Sequence, residues 1–211
     1  MIKIPTPPLL IPGYTTCEYR IIIQPHEDLC NKINTIKKQF AEVFQLPVYH
    51  YAKPDITLVR FTQYEIIEER IIHRIKNIVS TITAFKVELK DFGSFPTHSI
   101  FINVATKTSI VALVKELRST QKLLKLNEEH KSHFITEPFI TIAAKLLPWQ
   151  YEKGWLEYSN TPFTAMFMAE NILLIKRNVG EKKYQTVQQF QLQPYLGSSI
   201  VKNKVTQLSF F

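Results

Sequence analysis

The sequence predicts an α+β fold, with largely antiparallel sheets and helices packed on one face of each. Two observations predict it. Short runs with β-branched or alternating apolar residues are interspersed with longer segments whose apolar residues recur every three or four positions. The order of these segments, β-α-β-α-β-β-α-β-β-β, does not alternate strictly, as a parallel βαβ sheet would require. An apolar fraction of 45% and a charged fraction of 21% over 211 residues give ordinary globular composition with room for a sizeable core.

The first strand is the run EYRIIIQ, Glu18 to Gln24, β-branched at its centre. After Pro25, Leu29, Ile33, Ile36, Phe40 and Phe44 form one apolar face of a helix over Glu27 to Phe44. A second strand, ITLVRF, follows Pro54. A second helix over Glu65 to Val79 carries Ile67, Ile71, Ile75 and Ile78 on one face. Phe85 to Phe92 alternates apolar and charged residues, and Ser99 to Val104 reads as its hairpin partner across the turn-like GSFPTH. Lys107 to Leu126 is the third predicted helix, with Ile110, Val114, Leu117 and Leu124 on its apolar face. Then come a polar loop, EEHKSH, a strand over Phe139 to Ala144, and a long polar-aromatic connection to Asn160. Phe163 to Met168 and Asn171 to Arg177 look like a closing hairpin, and Tyr184 to Gln191 adds a last strand. The expected organisation is one domain over 1–211, with a Pro-rich segment at 1–17 and a tail at 193–211.

Several function classes are disfavoured by what is missing. Residues 1–14 have one lysine and four prolines but no apolar core of a signal peptide, and no apolar run reaches the ~18 residues of a membrane span. The expectation is a cytoplasmic protein with no membrane partner. Cys17 and Cys30 lack metal-ligand spacing and are too few for a disulfide framework, and no Gly-rich phosphate loop occurs. No metal and no cofactor are therefore expected. A formal net charge of +8 favours anionic partners, although the basic residues are scattered along the chain.

One pattern stands out. Pro54-Asp55-Ile56-Thr57-Leu58 recurs 84 residues later as Pro138-Phe139-Ile140-Thr141-Ile142. Each copy is Pro-x-Ile-Thr-aliphatic and opens a predicted strand, so Asp55 and Thr57 share one face, as do Phe139 and Thr141, while the aliphatic residues face a core. By itself the pattern is equally an ordinary way to begin a strand.

With its flanks, the chain resembles the 2H phosphoesterase superfamily, the family of the 2′-5′ RNA ligase-like and cyclic phosphodiesterase-like proteins. That family is defined by two His-x-Thr/Ser-aliphatic motifs about this far apart. Lys53 to Arg60, KPDITLVR, matches its commonest first-motif context everywhere except at histidine. The resemblance runs from about residue 18 to 192 and includes FKVELKDFGSFPTHSIFINV and NILLIKRNVGEKKYQTVQQFQL. It implies two similar lobes with a cleft between them, each lobe giving one motif from a central strand. It also implies two histidines acting as acid and base on RNA ends, 2′,3′-cyclic phosphates or 2′-5′ linkages, with the hydroxyl residues on phosphate oxygens. Imidazole, with an intrinsic pKa of ~6.5, suits both roles.

In this chain Asp55 and Phe139 stand where the histidines would be. Phenylalanine moves no proton. A carboxyl group, with an intrinsic pKa of ~3.9, is ionised at neutral pH and can accept a proton but not donate one. General acid–base transfer is commonly worth ~10²–10⁴-fold per group, so the expectation is a degenerate active site without the family's standard activity. Asp55 is the one residual catalytic candidate. Thr57, Thr141, Arg60 and Lys145 are the phosphate-binding candidates that the resemblance implies, and Phe139 is expected in the cleft. Of the six histidines, His50, His130 and His133 are near enough to the motifs to reach the cleft, although EEHKSH reads as a solvated loop. Trp149, Tyr151, Trp155 and Tyr158 would either stack bases or pack. Three functions stay open: a non-catalytic binder of RNA or nucleotide phosphate, a phosphodiesterase with altered machinery, and a protein-interaction scaffold.

Overall fold

The computed structural model describes residues 13–46 and 53–195. Nine strands form two antiparallel sheets among these residues: β1 (Thr16–Ile23), β2 (Ile56–Tyr64), β3 (Phe85–Phe95), β4 (Ser99–Val104), β5 (His133–Phe134), β6 (Phe139–Ala144), β7 (Thr164–Ala169), β8 (Asn171–Asn178) and β9 (Gln185–Gln191). The five-stranded sheet has the order β5-β2-β1-β8-β9 and the four-stranded sheet the order β6-β4-β3-β7. This is the two-lobed α+β arrangement that the sequence implied.

The helices are α1 (Glu27–Val43), α2 (Glu68–Val79), α3 (Lys107–Leu117), the single turn α4 (Gln121–Leu124) and α5 (Pro148–Tyr158). Glu27 and Asp28 begin α1 where the helix dipole favours negative charge, and Leu29, Ile33, Phe40 and Ala41 bury its stripe. Although α1 follows β1 in the chain, it packs on β6 of the other sheet, as α5 packs on β4. In turn α2 meets β9 and α3 meets β2. The chain thus passes between lobes repeatedly, and the core is continuous from Tyr19 and Leu58 to Ile100 and Ile140.

Four expectations change. Asn171 does not return on a hairpin: β7 pairs with β3 while β8 pairs with β1, so the chain changes sheet at Glu170. The third helix is interrupted by a 3₁₀ turn at Arg118–Thr120. The turn at GSFPTH is shorter than read, because β3 continues through Gly93 to Phe95. A Cβ on Gly93 would lie 2.5 Å from Phe101 Cε2, so this glycine makes room for the aromatic ring of its cross-strand partner. Lastly, the connection before Asn160 is a helix, α5, with Pro148 in its first turn. Its buried face is Gln150, Gly154 and Tyr158. Gln150 accepts a hydrogen bond from the Leu147 N–H (2.9 Å) and donates to the Phe44 carbonyl (2.7 Å), which fastens α5 to the end of α1.

Candidate functional site

The two repeated segments are alike in geometry as well as sequence. On β1–β2, Ile21 pairs with Val59 and Ile22 with Thr57, leaving Leu58 as the extra residue of a bulge. On β4–β6, Ile100 pairs with Ala143 and Phe101 with Thr141, leaving Ile142 extra. The bulge falls on the same motif position in both lobes. In β2 it re-aims the strand: Thr57 faces the cleft before it and Arg60 after it, while Val59 turns to the core and Phe61 is buried at the floor of the cleft. Without the bulge, Arg60 would lie on the face opposite Thr57. The motif strands differ in their place in the sheets. β2 lies between β1 and the two-residue β5, whereas β6 is an edge strand rather than a central one.

Between the lobes is a cleft of about 640 Å³. Asp55, Thr57 and Arg60 line it from one lobe, and Phe139, Thr141 and Ile142 from the other. Arg20 on β1, Lys37 on α1, Arg177 on β8 and Tyr184 before β9 complete the inner wall, with Lys53 and the segment Glu129, His130, Lys131 and His133 at its margin.

Asp55 is held by two neighbours. Arg20 Nη2 donates to both Asp55 Oδ1 and Thr57 Oγ1, and Thr57 Oγ1 donates to Asp55 Oδ1 at 3.1 Å. The Asp55 and Arg20 side chains are 12% and 19% exposed, so the pair is largely withdrawn from water. A carboxylate in this setting neutralises a guanidinium and orients a threonine. The sequence reading missed Arg20. Its signal lay in the alternation of β1, which buries Tyr19, Ile21 and Ile23 and so sends Glu18 and Arg20 to the other face of an interior strand.

Basic side chains are concentrated beside this pair. Arg20, Arg60 and His133 are consecutive cross-strand partners on β1, β2 and β5, so their side chains form one row on the cleft face. Burial first, and then the adjacent Arg20 charge, hold Arg60 below the usual guanidinium range, with Asp55 acting the other way. Arg177 is ion-paired with Glu18 (Nε to Oε2, 2.6 Å) and lies 4.7 Å from the centroid of Tyr184, while Arg20 lies 5.4 Å from the same ring. Burial pushes the Tyr184 phenol up, against the pull of Arg177.

Lys37 is the second residue that the sequence reading missed. It is 6% exposed, and burial pushes its amine down to about 8, with Asp55 as the main opposing influence. Its signal was positional: it stands four residues after Ile33 and three before Phe40, on the apolar stripe of α1. A lysine on a buried stripe needs a reason, and the cleft beneath α1 supplies one.

The remaining candidates divide. Phe139 lines the cleft without filling it, its ring 4.7 Å from Phe101 and 5.4 Å from Phe95. Lys145 is outside the cleft lining: β6 ends at Ala144, and Lys145 takes a left-handed conformation (φ 57°) with its side chain exposed. The aromatic residues of α5 are also outside it, because their helix packs on the far side of β4. Tyr158 is in the core, Tyr151 Oη contacts Ser94 Oγ at 3.0 Å, and Trp149 lies under Lys153. His130 and His133 both line the cleft, so EEHKSH is part of the site rather than a detached loop. His50 lies outside the described residues. Among the described residues no three His, Cys, Asp or Glu side chains cluster to hold a metal ion, and no helix is long and apolar enough to cross a membrane.

The sequence model of the 2′-5′ RNA ligase superfamily matches residues 25–181. Among solved structures, TT0787 of Thermus thermophilus superposes with a TM-score of 0.62 at 15% identity, covering 84% of this chain and 98% of that one. E. coli LigT complexed with 3′-AMP gives a TM-score of 0.56 at 11% identity, covering 84% of this chain and 98% of that one. LigT complexed with phosphate gives 0.56 at 11% identity, covering 85% and 99%. No curated protein sequence matches.

Proposed function

The chain belongs to the 2′-5′ RNA ligase superfamily, and from that premise we propose that its cleft binds the phosphate of a nucleotide or RNA end without the family's two-histidine chemistry. The observation that carries this reading is the union of charge and hydroxyls in one cleft. Six cationic side chains line it against three acidic ones, and Thr57 and Thr141 line the same cleft. Arg20 is committed to Asp55 and Arg177 to Glu18, whereas Arg60 is in no ion pair among the described residues. In a cleft of restricted solvent, charge-assisted contacts with phosphate are stronger than the same contacts in water. That LigT holds 3′-AMP and phosphate on a similar fold supports the same ligand class.

The loss of chemistry follows from the residues at the two motif centres. Phe139 is embedded among rings, and the Asp55 carboxylate accepts hydrogen bonds from both Arg20 and Thr57. Phe139 has no proton to transfer, and Asp55 is committed as an acceptor, so neither is arranged as the general acid at a leaving oxygen. A scaffold with a plugged cleft is disfavoured by the open volume beside Phe139.

The test is titration with 3′-AMP at low salt beside an assay of 2′,3′-cyclic AMP hydrolysis. Binding is expected, weakened about ten- to a hundredfold in Arg60→Ala, as for a lost hydrogen bond between charged groups. Hydrolysis is expected at the uncatalysed rate. A second reading, a phosphodiesterase with recruited groups, has one observation in its favour: His130 and His133 both line the cleft. Turnover that vanishes in Asp55→Ala and in His133→Ala would establish that reading and overturn the first. Absence of 3′-AMP binding at low salt would overturn the binding reading outright.

A further inference from the structure

We infer that Phe139 is a stacking platform for a nucleobase, so that the cleft selects base-bearing phosphates over sugar phosphates of equal charge. The inference rests on the anion-binding reading above and adds the ligand's other end.

The cleft is polarised. Arg20, Arg60 and Arg177 lie on strands of the five-stranded sheet, whereas the strand of the other sheet that faces them presents Phe139, Ile142 and the Thr141 hydroxyl, with Lys37 reaching the cleft from α1. A ligand that satisfies both walls is anionic at one end and flat and apolar at the other. Among the described aromatic residues lining the cleft, three are already committed. Tyr19 and Phe61 are 1% and 4% exposed and stack on each other, with centroids 5.0 Å apart and planes at 6°. Tyr184 is engaged by the Arg20 and Arg177 guanidinium groups. Phe139 is different: it is half-buried, faces the cleft, and has only other rings as aromatic partners.

Those partners make it a rigid platform. Phe101 backs Phe139 with planes at 35°, and Phe95 meets it edge-on at 74°. Phe101 itself is fixed over Gly93, where any side chain would collide with it. A ring held this firmly loses little freedom when a base stacks on it. Stacking on an aromatic side chain is also tolerant of base identity, since every base has a π-face. Replacement of a proton-transfer residue by phenylalanine therefore exchanges chemistry for recognition at the same position.

The experiment compares 3′-AMP with ribose 3-phosphate, which share sugar and phosphate and differ in the base. In the unaltered protein 3′-AMP should bind about 5- to 150-fold more tightly, as expected for one stacked base. Phe139→Leu, which keeps apolar volume but lacks a flat face, should remove that advantage by weakening 3′-AMP far more than ribose 3-phosphate, and the lost ring contacts with Phe101 and Phe95 should lower Tm by only a few degrees. Phe139→Trp should retain it. Equal affinity for the two ligands in the unaltered protein overturns the inference and leaves the anion-binding reading intact. An advantage that survives Phe139→Leu, or equal weakening of both ligands by that change, also overturns it. If neither ligand binds, the anion-binding reading fails and this inference with it.

Discussion

The strands β2 and β6 begin with the same five-residue pattern, carry a bulge at the same position, and meet across one cleft, yet they hold opposite chemistry. On β2 the residue before the shared Ile-Thr is Asp55, tied to Arg20, and the residue re-aimed by the bulge is Arg60. On β6 the corresponding residues are Phe139, packed on Phe101, and Ala144, which is outside the cleft lining. The threonines differ as well. Thr57 Oγ1 is engaged by Arg20 and Asp55, whereas Thr141 Oγ1 makes no hydrogen bond among the described residues and faces the cleft. A repeated backbone device thus fixes where side chains point and leaves free which side chains they are. The strands of one sheet form an electrostatic wall, completed by Lys37 of α1, and β6 forms an aromatic one.

The largest effect is expected where the charged wall is broken. Arg20→Met leaves the Asp55 carboxylate largely out of water with only the Thr57 hydroxyl as hydrogen-bond donor among those described. Removing one partner of a fully buried pair costs about 3–5 kcal/mol, and the residual exposure here lowers the expectation to about 2 kcal/mol. Thermal unfolding should show a fall in Tm of about 4–8 °C. Asp55→Asn placed on top of Arg20→Met should restore most of that loss, because the stranded charge is gone. A double variant no more stable than Arg20→Met would show that the pair is not coupled and that the wall is merely a row of independent charges.

A smaller effect, with a defined pH window, belongs to Lys37. Its amine is pushed down to about 8 in the folded chain against 10.5 in the unfolded one. Between these values the unfolded chain holds the proton that the folded chain has shed, so stability of the free protein should rise with pH across about 8 to 10.5. Anion binding should do the reverse. The cation is present below about pH 8 and lost above it, so 3′-AMP affinity should fall by up to about tenfold per pH unit beyond that point. Lys37→Met should flatten both profiles between pH 7 and 9.5. An unchanged binding profile in that variant would remove Lys37 from the electrostatic wall.

How much of this was written locally in the chain differs between the two walls. The strands and the motif positions Asp55, Thr57, Phe139 and Thr141 were legible because alternation and the repeated Pro-x-Ile-Thr are properties of consecutive residues. α5 was not, because its buried face is Gln150, Gly154 and Tyr158 instead of an apolar stripe. Gly154 is there because the helix lies so near the core that a Cβ would sit 2.7 Å from the Phe40 ring. The β7–β8 hairpin was misread because their partners, β3 and β1, are far away in sequence. Arg60 was legible only through resemblance, since plain alternation places it opposite Thr57 and the bulge reverses that. Arg20 and Lys37 come from a different strand and a helix, and only tertiary packing brings them to Asp55.

The smallest expected effect is also the most direct comparison of the two lobes, the replacement of each motif threonine by valine. The two changes are chemically identical and stand at equivalent positions, so a difference between them reports the walls. Thr57→Val removes a hydroxyl that accepts from Arg20 and donates to Asp55, leaving both charged groups short of a partner. Its cost should appear in folding, at about 1–2 kcal/mol, or a few degrees of Tm. Thr141→Val removes a hydroxyl with no partner within the described protein, at a half-buried position on a β-strand where valine is at least as well suited. Its Tm should be unchanged, and its cost should appear as a loss of about two- to tenfold in 3′-AMP affinity, the size of one neutral hydrogen bond. Equal stability losses for the two variants would mean that the charged network does not distinguish the lobes. Unchanged affinity in Thr141→Val would confine phosphate recognition to the charged wall and leave the aromatic wall only the base.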